Sequence, residues 1–184
     1  SASTLYTLAA EGVLVGALAL GLAAAMVLLA RQPKPDPALA PHHHSPEPKS
    51  LFDKNSFAAL GAALIVTALV GWIVAQDTLK GQTFAAAALA GMFGAMAGRL
   101  TAPSASAFTF VAAIVIVCVV SPAAAAMMGG SAMAPVRAAL AGTLLPLARP
   151  LPLDWAAGAF VGVPLGLSWA SSMVDKHHPE AKPT

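Results

Sequence analysis

Read along the chain, apolar positions gather into long unbroken runs separated by short polar stretches, with no period-two alternation. Such runs predict helices solvated by lipid, because a helix at the surface of a water-soluble domain keeps a polar face. A spanning helix needs about 20 predominantly apolar residues. Four stretches meet or approach that length. They are residues 5–30, ended by ARQPKPDP; 57–75, begun at the cap candidate Asn55-Ser56 and ended by Gln76-Asp77; 104–128; and 155–173. A fifth run, TFAAAALAGMFGAMAG over 83–98, is shorter and lies between Lys80 and Arg99. Its helix would be only about 24 Å long, and snorkelling of the two flanking cations would make up the difference.

Between the last two runs, PVRAALAGTLLPLARP is too short to cross and too apolar for an ordinary loop. Apolar segments of about 10–14 residues are more often interfacial or re-entrant. A short helix over 135–149 is expected there, with Arg137 and Arg149 at a headgroup layer. The loop over 31–54, rich in proline and histidine, should by itself be extended, close to polyproline II. Together with the polar tail over 174–184, it is expected to be held by a neighbouring subunit. The fold class predicted is all-α: a polytopic transmembrane bundle of five spans plus one short helix, forming one integral membrane domain over 1–184.

Composition sharpens this picture. The 184 residues are 58% hydrophobic and 10% charged, with mean hydropathy +0.75, whereas soluble domains carry about 25% charged residues. Too few charges remain to cover a water-facing surface. The net charge of +2 is dispersed, without a basic run or aromatic platform, so no nucleic-acid partner is expected. The single cysteine, Cys118, excludes an intrachain disulfide. The first run lacks a positive n-region and exceeds a signal-peptide core, so it reads as a retained helix. Cations near the helix ends set orientation. Arg31, Lys34, Lys49, Lys54, Arg99, Lys176 and Lys182 fall on one side, and Lys80, Arg137 and Arg149 on the other. The expected arrangement has the N-terminus outside and the C-terminus on the cytoplasmic side, with a bacterial inner membrane as the default and an organellar one as the equivalent.

Small residues recur at four-residue spacing in three of the runs: Gly12 and Gly16, Gly94 and Gly98, and Gly158, Gly162 and Gly166. Such faces let helix backbones approach closely. They predict tight packing, either inside the bundle or against another subunit. Pro122 and Pro164 each remove a backbone hydrogen bond within a run. Trp72, Trp155 and Trp169 lie near expected helix ends and read as interfacial anchors.

The candidates for chemistry are few. Glu11 is the only acidic residue well inside an expected span, and an intramembrane carboxylate is a functional candidate by default, for proton transfer or an ion pair. Its place a turn or two from the expected helix start also suits a headgroup position, where it would favour the positive end of the helix dipole. Met92 and Met96 share a helical face, and Met127, Met128 and Met133 lie near one membrane boundary. Thioethers suit Cu(I), although methionine more often fills gaps between helices. The Met-x-x-x-Met spacing, a Gly-x-x-x-Gly helix and a His-rich loop are similar, in isolated elements, to copper uptake transporters of the three-helix type. Here the helix count differs, and Gly94 and Gly98 lie on the methionine helix itself. His42, His43 and His44 could bind a divalent metal or sense pH, as could the His177-His178 pair, but consecutive residues in an extended segment point in different directions.

No phosphate-binding loop, dinucleotide fingerprint, zinc-protease helix or nucleophile elbow is present, and no histidine lies within a span to ligate haem. The chain is therefore not expected to be an enzyme by itself or to carry a cofactor of its own. The function expected is an accessory or structural subunit of a larger membrane complex, with an energy-transducing one as the candidate setting and lipids and other subunits as partners. The alternative is a small transporter or channel for a metal cation or protons.

Overall fold

The computed structural model describes residues 2–30, 54–129 and 133–175. Among them there are only helices and connecting turns. Five helices are long and apolar enough to cross a membrane: α1 (Ala2–Ala30), α2 (Lys54–Val74), α3 (Lys80–Thr101), α4 (Ala107–Met128) and α6 (Pro152–Asp175). The chain is an integral membrane protein by this measure. A short α5 (Ala134–Leu140) and a single 3-10 turn (Pro146–Ala148) lie between α4 and α6.

The third span is longer than its apolar run suggests. Lys80 and Arg99 lie inside α3, whose 22 residues extend about 33 Å, enough to cross without help from its flanks. The segment over 135–149 departs from expectation in the other direction. It does not form one helix. Gly142 adopts φ +68°, and the chain turns there before the 3-10 turn begins. A left-handed residue ends an α-helix, and only glycine reaches that conformation without steric cost.

Lipid offers no hydrophobic drive for helices to associate, so packing rests on close backbone approach. The two least hydropathic spans, α3 and α6, make the most extensive contact of the bundle. They run parallel. A Cβ added at Gly158 would stand 2.6 Å from the Ala87 carbonyl carbon, and one at Gly162 would stand 2.8 Å from the Met92 nitrogen. One at Gly166 would run into the Met92 carbonyl oxygen. The glycines that lower the hydropathy of these spans are what bring them together. Beside this contact α3 also receives the antiparallel α2, where Gly94 leaves room for the Thr67 hydroxyl and Gly98 for the Ala59 carbonyl and for Phe110 of α4. Buried Thr67 donates to the Ala90 carbonyl at 3.3 Å, a hydrogen bond between two spans.

Helix α4 closes the core with Phe110, Ile114 and Val117, and α1 lies antiparallel along its outer side. Gly12 and Gly16 meet Cys118 and Val115 of α4. Pro122 lacks an N–H for the Cys118 carbonyl four residues before it. That carbonyl oxygen lies 3.5 Å from where a Gly12 Cβ would stand, so the glycine admits α1 beside a backbone acceptor left without its helical donor.

Candidate functional site on the outer face of the first helix

Helix α1 touches the bundle along one stripe: Leu5, Ala9, Gly12, Gly16, Ala19 and Ala23 are buried. Its opposite face is exposed, with Thr7, Leu14, Leu18, Gly21, Leu22 and Ala25 turned away from the protein. Glu11 belongs to this exposed face. No described side chain forms an ion pair or hydrogen bond with it.

The register between α1 and α4 gives the height of Glu11 along the bundle. Its neighbour Gly12 packs on Cys118, which stands eleven residues after the start of α4 and ten before its end. At 1.5 Å per residue, both ends of α4 are about 15 Å away. Counting along α1 gives a similar depth, about 14 Å from Ala2. The carboxylate is thus level with the middle of α4, and a hydrocarbon layer about 30 Å thick centred on that helix would place it close to mid-height. A glutamate side chain reaches only a few ångströms beyond its backbone. The sequence could not give this depth because it depends on the register between α1 and α4.

The other candidates are dispersed. All seven packing glycines lie against neighbouring helices of this chain. Met92 and Met96 are half-buried along α3, with the Met92 backbone beneath Gly162 and Gly166. Met127, Met128 and Met133 are exposed at the end of α4 and the start of α5. His42, His43, His44, His177 and His178 lie outside the described residues, as do most of the 31–54 loop and the tail. Among the described residues, no group of three or more histidine, cysteine, aspartate or glutamate side chains is placed to hold a metal ion.

No family model, curated protein or solved structure matches this chain. Its chemistry must be read from its own geometry.

One end of the bundle carries a polar network that sequence reasoning did not anticipate. The Arg149 guanidinium donates from Nε to the Leu144 carbonyl at 3.1 Å and from Nη2 to the Gly142 carbonyl at 2.7 Å. Its Nη1 donates to the Ala75 carbonyl at 3.2 Å and to that of Gln76. One cation thus fastens the segment before α6 to the end of α2, where helical carbonyls lack intrahelical donors. Gln82 donates to the Val74 carbonyl at 2.9 Å, and Lys80 stands 3.9 Å from Asp154. The signal in the sequence was an arginine near two helix ends, but two of its four acceptors, Ala75 and Gln76, lie more than 70 residues away.

Trp155 also departs from expectation. It is 1% exposed, whereas Trp72 and Trp169 are 47% and 52% exposed, as anchors should be. The Trp155 ring fits because Gly71 has no side chain: a Cβ there would stand 3.0 Å from the ring carbon Cη2. A residue near a helix end is interfacial only if no neighbour covers that end, and here α2 and Leu147 do.

Two clefts remain. One of about 400 Å³ opens between α5 and the ends of α2 and α4, lined in part by Trp72, Met128, Ala138 and Leu144. The other, of about 370 Å³, is an apolar groove among α1, α4 and α6 lined by Met26, Val111, Phe160, Val163 and Leu167.

Proposed function

We propose that this chain is an accessory, structural subunit of a larger multi-subunit membrane complex. It acts through helix packing and subunit docking rather than through a catalytic centre of its own. The observation that carries the reading is Glu11, an exposed carboxylate level with the middle of α4 on a membrane-spanning helix, with no partner among the described residues. A charge at that level is costly against lipid and is retained where something meets it. The packing glycines are already used within the bundle, and the outer face of α1 is left exposed beside Glu11. Lipid chains suit the apolar groove among α1, α4 and α6. The cation balance supports an N-terminus outside and a C-terminus on the cytoplasmic side of a bacterial inner membrane. An energy-transducing complex is the candidate setting.

Extraction from native membranes in mild detergent, followed by native electrophoresis and mass spectrometry of the band, tests the reading. The chain is expected in a large band with fixed stoichiometry to other membrane proteins. Migration alone, or as a small homo-oligomer, would overturn it and turn attention to proton and metal flux.

A further inference from the structure

Building on the subunit reading, we infer that the outer face of α1 docks a transmembrane helix of a different protein, one bearing a lysine or arginine at mid-membrane height that pairs with Glu11. The inference starts from register. Glu11 is level with the middle of α4, and a hydrocarbon layer about 30 Å thick centred there would keep headgroups and bulk water beyond the reach of its short side chain. Its face carries no other charge: Thr7, Leu14, Leu18, Gly21, Leu22 and Ala25 complete it. With 3.6 residues per turn, these six and Glu11 fall within an arc of about 100°, opposite the stripe that packs on α4.

Charge complementarity selects the occupant. A carboxylate in a low-dielectric layer is best satisfied by a cation that also donates hydrogen bonds. A second copy of this chain has none to offer at that level among the described residues. Lys54 and Lys80 begin helices, Arg99 is near the end of α3, Arg137 is in α5, and Arg149 is held by loop carbonyls. Two copies meeting face to face through α1 would instead bring two carboxylates together. The partner is therefore another protein. Gly21 favours its close approach, because nothing stands within 4 Å of a Cβ built there.

The test uses the full chain in its native membrane, with a photo-crosslinking amino acid at Leu18. The same probe at Leu69, exposed on α2, serves as the comparison. The Leu18 crosslink is expected on a transmembrane peptide of another protein, with a lysine or arginine within a turn of the attachment point. Glu11→Gln and Glu11→Ala should lower recovery of that partner by about tenfold, the effect of 1.4 kcal/mol. The thermal stability of the isolated chain should stay unchanged, since Glu11 makes no bond among the described residues. Crosslinks only to lipid or to a second copy, or to a helix lacking a cation, would overturn the inference. So would full recovery of the partner with Glu11→Gln, because an uncharged amide would then serve as well. In those cases a large native band would leave the subunit reading standing, and migration of the chain alone would remove both.

Discussion

At the scale of single residues, glycine does most to shape this bundle, and it acts by absence. Gly162 is the clearest case, since a Cβ there would meet the Ala88 carbonyl oxygen and stand 2.8 Å from the Met92 nitrogen. Backbone atoms inside a helix cannot swing aside as the end of a side chain can. Gly162→Val should therefore force α6 away from α3 and cost about 1–3 kcal/mol, the range for overpacking. Gly21→Val is the matched control, because its site is open; its effect should stay within about 0.5 kcal/mol. Thermal unfolding of the two variants in detergent measures the difference. Equal losses would mean that α3 and α6 do not approach as described. Reading the sequence located these glycines, because a four-residue spacing is visible in one segment. It did not show their partners, because a small face accepts any helix of suitable shape. Thr67 makes the same point: its hydroxyl fits only because Gly94 lies opposite, and that juxtaposition joins residues 27 apart.

At the scale of elements, the five spans were legible because length and apolarity belong to each run separately. The segment over 135–149 was not, because its shape depends on the conformation of one residue, Gly142, and on a side chain that arrives from Arg149. Arg149 takes the place of a helix there, supplying donors from one planar group to carbonyls on two separate segments. Lysine has a comparable reach but presents its donors from a single point. Arg149→Lys should thus keep the charge and lose the bridge, at a cost of about 1–3 kcal/mol for the carbonyls left unmet. Hydrogen exchange localises the effect: amides over 75–79 and 141–145 should exchange faster, with the middle of α4 unchanged. Uniform acceleration throughout the bundle would argue that Arg149 contributes to global stability rather than to this junction. Trp155, close by, was misplaced in sequence reasoning for a related reason. Its nearness to a helix end was visible, but the cover provided by α2 and Leu147 was not.

At the scale of the whole molecule, the packing order fixes which helix ends lie together. Helix α4 is antiparallel to α1, α2 is antiparallel to α3, and α6 is parallel to α3. The N-termini of α1, α3 and α6 therefore share one end of the bundle with the C-termini of α2 and α4. Arg149 bridging to Ala75, and Leu5 packing with Ala125, Ala126 and Ala148, mark that end. This arrangement makes a prediction about sidedness that does not depend on identifying any partner. Single cysteines at Thr78 and Ala141, both exposed, should react with a membrane-impermeant maleimide from the same side. A cysteine at Ser104, exposed at the opposite end, should react only from the other. The natural Cys118 is buried, which keeps the background low. In intact bacterial cells the proposed orientation places Thr78 and Ala141 outside, so they should label before permeabilisation and Ser104 only afterwards. Reversal of all three would invert the orientation and leave the five-span fold intact. Labelling of Thr78 and Ala141 from opposite sides would contradict the fold itself, because Arg149 could not then join the two loops.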